Sequence, residues 1–416
     1  MEKLAAGCLA WLALASSLAG ADWPQFHGPN RDAASRETQL ARSWPEGGPK
    51  VLWTVKVGKG YGGACIQGGK VYLLDRPDRR QDVLRCFDLQ TGTEEWTYAY
   101  AAPGRVSHDG SRSTPLATDK YVVTVGVFGH VHCVSKATKK PVWTRHLLRD
   151  YGGRRPPRWG VAQSPLLYKG SVILSPESDS VGIVALAPDT GKELWRSKPL
   201  GQMHYVAPRV ITLGGVDQVV TVNGDGVSAV DASNGKVLWN YGGFRCRISI
   251  PNVTPIDDER VFVTAGYDAG CAMVKVARSG ESFAATELFK GNQCNSQMNP
   301  AILFKGHLYA NSNSNSDSDG LLCMNLDGKV LWKTGRSPNF QRGHMLLADG
   351  MIYVIDGRGG SLHLVELSPK GFKELAKVEG LLGPPEPWAP LSLSDGKLII
   401  RDQHKMHCLL VRGGKE

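Results

Sequence analysis

The chain has 416 residues, of which 42% are hydrophobic, with 49 glycines and 24 prolines. That apolar content can build a large core, while the turn-forming residues and scarcity of long apolar runs favour short strands and exclude a bundle of membrane-spanning helices. The formal charge of +10 predicts acidic partners of some kind, but no basic block or basic helix concentrates it, so nucleic acid is not expected.

The first residues read as a signal peptide. Lys3 supplies a minimal positive start, Leu4 to Leu18 is apolar and small, and Ala19-Gly20-Ala21 before Asp22 is an A-x-A cleavage site. An exported protein is expected, periplasmic or extracellular after cleavage near Ala21, with no membrane span. Leu4-Ala5-Ala6-Gly7-Cys8 resembles a lipid-attachment box only faintly, because almost no hydrophobic region precedes it.

Residues 22–50 are rich in turn formers and lack periodicity. They are expected to form an arm held on the body by Trp23, Phe26 and Trp44. Val51 to Val57 then reads as a strand whose aromatic, Trp53, has no earlier strands to pair with. From there a unit recurs. Asp88-Leu89-Gln90-Thr91-Gly92 is a turn leading to Trp96, and the same turn precedes Trp195, Trp239 and Trp332. Ser135 to Lys139 leads to Trp143 with the glycine missing. Glycine suits such a turn because it enters positive φ without a Cβ clash.

Trp53, Trp96, Trp143, Trp195, Trp239, Phe289, Trp332 and Leu375 are spaced 43 to 52 residues apart. That spacing holds four short strands with their turns. Between aromatics, a small residue followed by proline opens a strand at Thr114, Ser164, Ala207, Thr254, Asn299 and Ala389. The last unit has three strands and lacks its fourth, which the lone strand at Trp53 can supply. The predicted fold is therefore all-β: an eight-bladed β-propeller over residues 51–412, with four-stranded antiparallel blades, closed by the N-terminal strand and followed by a short tail at 413–416.

Eight cysteines remain beyond the leader. Cys86, Cys133, Cys323 and Cys408 share a repeat position with Ala185 and Ala229, which marks a small buried slot. Cys65, Cys246, Cys271 and Cys294 are left as disulfide candidates, with no pairing preferred.

The Asp-x-x-Thr-Gly-x-x-x-Trp unit at Asp88–Trp96, with its sisters, resembles the tryptophan-docking repeat of pyrroloquinoline-quinone-type propellers. These include quinoprotein alcohol and glucose dehydrogenases and the propeller lipoprotein of the outer-membrane β-barrel assembly machinery. The Trp-Pro-x-x-x-Gly-Pro opening at Trp23–Pro29 is similar to exported bacterial members of this superfamily without a settled activity. The resemblance implies the fold and, as one alternative, an oxidoreductase using pyrroloquinoline quinone and calcium; a scaffold in outer-membrane protein assembly is another. The chain departs from the dehydrogenase pattern: it has no adjacent cysteines and lacks the long insertions that cover the quinone.

Other chemistry is sparse. Asn315-Ser316-Asp317-Ser318-Asp319-Gly320 resembles the first half of a calcium loop, but Leu326 stands where the bidentate glutamate belongs, so a polar hairpin tip is expected. The pairs His130/His132 and His404/His407 lack a third metal ligand. No catalytic residue, metal site or cofactor is expected.

What remains is the rim, where loops joining successive blades converge over the channel. Residues before the small-Pro step should point to the axis: Arg112, Gln163, His204, Tyr205, Asn299, His344 and Trp388, joined by Trp159 and Arg342 from the same loops. Arginine beside flat aromatics suits a protein, peptide or anionic small-molecule ligand, since guanidinium grips acids and stacks on rings. A monomeric binding protein with a basic channel face is the expectation.

Overall fold

In every blade the third strand is met by an outermost strand that carries a β-bulge, and in all but blade 7 the bulge falls immediately before the repeat aromatic. The extra residue turns the aromatic across the sheet face towards the next blade. The structure, a computed structural model, describes residues 22–153, 155–176, 178–201, 205–313 and 319–414. The expected leader, Arg154, His204 and most of the polar tip at 315–320 lie outside them.

Eight four-stranded antiparallel sheets form the ring. Blades 1 to 7 span residues 65–101, 116–146, 166–196, 209–241, 254–291, 302–333 and 345–378. Blade 8 joins the three strands of 392–410 to Lys50–Lys56, which pairs with Lys405–Leu410 so that Trp53 faces Cys408. The ring thus closes as predicted, and no described helix is long and apolar enough to cross a membrane.

The ring contacts explain the repeat. A Cβ on Gly92 would lie 2.6 Å from the Trp53 ring, one on Gly191 2.6 Å from Trp143, one on Gly235 2.6 Å from Trp195, and one on Gly328 2.9 Å from Phe289. Each aromatic therefore lies flat on the turn of the following blade, where a side chain would lift it away. The indoles of Trp53, Trp143 and Trp332 also donate to turn carbonyls of Leu89, Pro188 and Ser368, each at 2.9 Å. Where blade 2 lacks the glycine, Lys139 adopts φ 62° and places its ammonium 5.1 Å from the centre of the Trp96 ring. Trp239 instead donates to Gln218 within its own blade, at 2.6 Å.

Cys86, Cys133, Ala185, Ala229, Cys323 and Cys408 each sit directly opposite the repeat tryptophan of their own sheet, which accounts for the small-residue slot. The register also corrects the eighth phase position. Leu364 pairs with Ala376, and Leu375 is the bulged residue, so blade 7 docks no large side chain there.

The disulfide expectation is corrected too, since all eight described cysteines are free and buried. Cys65 and Cys246 lie in separate core clusters, too far apart in the ring to meet. Cys271 and Cys294 share a third cluster, but the Cys294 sulfur accepts from the Thr264 hydroxyl at 3.5 Å.

The arm does more than pack on the body. Trp23 exchanges two backbone bonds with Ile66 in the innermost strand of blade 1, both 2.8 Å, and Ala117 of blade 2 donates to Pro24. Gln25 accepts from Leu167 of blade 3, while Ala33 and Ser35 bond Leu347 of blade 7. The inner edges that face the channel thus gain partners from this segment.

Trp143→Ala should lower the unfolding free energy by about 3–5 kcal/mol. Gly191→Ala should cost more than Gly170→Ala, although both glycines have positive φ (66° and 78°), because a Cβ at 170 meets nothing within 4 Å. Urea-unfolding midpoints of the three variants measure both effects; equal losses at 170 and 191 would refute ring docking as the reason for the glycine.

Candidate functional site

The loops that connect each outermost strand to the next innermost strand meet over one end of the channel and enclose a cavity of about 350 Å³. Phe26, carried there by the arm, forms part of its lining, so the channel is a cup with the arm beneath it.

One wall is a four-membered stack. The Arg112 guanidinium lies 5.3 Å from the centre of the Tyr61 ring, Tyr61 lies 5.7 Å from Trp388, and Arg342 lies 5.1 Å from Trp388. Cations above aromatic faces are held by the ring quadrupole, more strongly where water is excluded. The stack is braced from behind. Arg342 Nε donates to Gln297 Oε1 at 2.8 Å, Gln297 Nε2 donates to the Tyr267 hydroxyl at 2.9 Å, and Trp388 Nε1 donates to the Gly357 carbonyl at 2.8 Å. Arg112 uses its terminal nitrogens on the carbonyls of Gly110 and His108, which leaves each of them a second N–H. Elsewhere in the lining, Trp159 and Tyr205 pack with ring centres 5.1 Å apart.

Among the described residues a single carboxylate lines the cup. Glu386 accepts from the Tyr61 hydroxyl at 2.6 Å, and its other oxygen is 3.9 Å from His108 Nε2. Burial, followed by this bond to Glu386, pushes the Tyr61 hydroxyl well above its ordinary value. Burial also lowers Arg112 to about 10, which still leaves it charged at neutral pH. His344 reaches the cavity with 4% of its surface exposed, and desolvation lowers it to about 3. It is a neutral wall element.

Six of the nine expected rim residues meet in this cavity: Arg112, Trp159, Tyr205, Arg342, His344 and Trp388. Gln163 and Asn299 do not. Gln163 is buried and exchanges hydrogen bonds with the Ser175 backbone of its own blade, while Asn299 donates to the Gly343 carbonyl of the neighbouring loop at 3.0 Å. The residues before these prolines satisfy buried backbone groups, a stronger demand than exposure to the channel. His204 lies outside the described residues. The histidine pair at 130 and 132 packs against Tyr100 and His146 rather than forming a ligand set.

Phe26, Glu386 and Tyr267 are among the contributors that were not expected at the site. Phe26 comes from the far end of the chain. Glu386 (φ 60°) and Tyr267 (φ 59°) occupy left-handed backbone that side chains rarely adopt, Tyr267 in a hairpin turn of blade 5. For Glu386 a local signal existed, since it stands between Pro385 and Pro387 just before Trp388.

An eight-bladed ring stitched by aromatic docking is a pyrroloquinoline-quinone-like propeller. A family model described as outer membrane protein assembly factor BamB matches residues 79–316, more than half of the chain, and the chain belongs to that family. No curated protein matches it in sequence. Among solved structures it is similar to quinohemoprotein alcohol dehydrogenase from Comamonas testosteroni, with 12% identity, a TM-score of 0.64, and coverage of 95% of this chain and 81% of that one. It is also similar to a europium-containing methanol dehydrogenase (12%, TM-score 0.62, 91% and 89% covered). BamB from Moraxella catarrhalis matches at 12% with a TM-score of 0.61, covering 87% of this chain and 99% of that one. At these identities the likenesses establish the fold alone.

The lining does not fit a quinone-side calcium or lanthanide ion. Such an ion takes about six to eight oxygen ligands, whereas the described lining brings one carboxylate that is already bonded to Tyr61. Among the described residues no three His, Cys, Asp or Glu side chains group to hold a metal.

Because the unfolded chain binds a proton near pH 6.5 that folded His344 refuses until about 3, stability should fall as pH drops through that interval. Thermal unfolding of the wild type and His344→Leu from pH 7 to pH 4 tests this: the variant should lose part of the slope, and an unchanged slope would show that His344 does not contribute.

Proposed function

We propose that the protein is an exported binding protein that takes a carboxylate-bearing ligand with a flat apolar part in the channel cup. The ligand would be a peptide, a segment of a protein partner or an aromatic acid. The observation that carries this reading is the Arg112–Tyr61–Trp388–Arg342 stack, which presents two cations and two ring faces on one wall. Charge-assisted hydrogen bonds from guanidinium to carboxylate supply orientation, and ring stacking supplies apolar contact. The remaining aromatic lining, including Trp159 and Phe26, suits a ligand that buries most of its surface. Membership of the BamB family supports a protein or peptide partner in particular.

The likeness to quinohemoprotein and methanol dehydrogenases gives one competing reading, in which the cup receives pyrroloquinoline quinone. The quinone is itself a planar polycarboxylate, so binding alone does not separate the two readings; turnover does.

The experiment is titration of indole fluorescence and of heat with short peptides ending in an aromatic residue, as free acids and as amides, and with the quinone plus calcium. Free acids should bind more tightly than amides, and Arg112→Ala or Arg342→Ala should weaken them about tenfold or more, the value of a lost charged hydrogen bond of about 1.5–3 kcal/mol. Equal binding of acid and amide, or indifference to both substitutions, would refute the carboxylate reading. Dye-linked alcohol oxidation by the quinone-loaded protein would replace it with the oxidoreductase.

A further inference from the structure

Beneath the floor of the cup lies a second, narrow and partly open space of about 10 Å³, enough for one atom-sized occupant. It is lined by His27 and Arg31 of the arm and by Arg209 of blade 4, with Phe26, Ile250 and Met298 as apolar walls. All three polar side chains are more than nine-tenths buried. Two of them direct a polar atom to no partner: His27 Nε2 and Arg209 Nε are enclosed and unbonded.

The charges are as unusual as the orphaned donors. Arg31 gives its terminal nitrogens to the carbonyls of Pro165 and Ser164, both at 3.0 Å, and Arg209 gives one to the carbonyl of Val253 at 3.2 Å. Neither forms an ion pair among the described residues. Asp32 is the acid whose field reaches Arg209, and burial raises its own pKa. Burial lowers Arg31 to about 9 and Arg209 to about 10, so both guanidiniums stay charged at neutral pH. Two buried cations against one hindered carboxylate leave an excess positive charge, and an uncompensated buried charge costs several kcal/mol. A water would bond the two unpartnered nitrogens but would not balance that excess. A monatomic anion does both.

We propose that this space is a halide site, in which chloride accepts from Arg209 Nε and His27 Nε2 between the two guanidiniums and fastens the arm to blade 4. Phe26 stacks on His27 at 3.7 Å, and the Arg31 guanidinium lies 5.7 Å from its ring centre, so the same anion sets the floor of the cup.

The test is bromide, which substitutes for chloride and scatters anomalously. Crystals of the full chain grown in bromide should show an anomalous peak within hydrogen-bond distance of Arg209 Nε and His27 Nε2. In solution the Tm should rise with each tenfold increase in bromide and stay level in gluconate, which is too large for the space. Arg342→Ala, which alters only the cup above, should keep the bromide-dependent rise; Arg209→Met should lose it. A water without anomalous signal at the site would overturn the proposal even if Arg209→Met fails to fold. So would a bromide effect that vanishes in Arg342→Ala, which would place the ion in the cup.

Discussion

The structure depends on a flat aromatic ring from one blade lying on a turn of the next where no side chain intervenes. A blade by itself is a four-stranded sheet with two apolar faces, and neither face can be left to water. Bulging the outer strand throws the repeat aromatic sideways, and the glycine opposite accepts it at van der Waals contact. Positive φ explains why glycine is comfortable in that turn; the ring above it explains why glycine is needed. Lys139 shows the distinction, because it tolerates φ 62° yet must reach its ammonium over Trp96 to replace the lost contact.

Closure of the ring gives the site its shape. Eight blades leave a central channel whose wall is a set of inner strand edges, and open edges invite pairing. The arm meets that demand by bonding Ile66, Ala117, Leu167 and Leu347 in turn, and in doing so it brings Phe26 into the channel. A tube becomes a cup.

The fold was legible in the sequence because its signal is local and repeated. Turn, bulge and aromatic fall within nine residues, as in Asp88–Trp96, and recur often enough for blade number and closure to be counted. Counting failed at Leu375, where no aromatic marks the phase and the bulge shifts the register by one residue to Ala376. The candidate site was legible in its loop residues, six of the nine expected ones lining the cup. Arg112, Trp388 and Arg342 were found because loop position alone brings them over the axis. Gln163 and Asn299 share that position but answer to buried backbone groups that appear only in three dimensions. Phe26 was missed because the arm that carries it into the channel is fixed by strands far along the chain, and Glu386, despite its flanking prolines, because its partner Tyr61 is hundreds of residues away.

Ring and cup answer to different constraints, and this is why family membership leaves the ligand open. The docking contacts need aromatic, glycine and a small residue at fixed spacing, and they are indifferent to the loops above. The loops need only span from one blade to the next, so their side chains are free to change with the ligand. A dehydrogenase built on this ring must bring several oxygen donors together for its ion. The described lining of this cup instead places arginine on tyrosine and arginine on tryptophan, and its carboxylate accepts from a hydroxyl. Bonded to Tyr61, Glu386 steadies the ring under Arg112, and its single negative charge stands against the two guanidiniums of the stack.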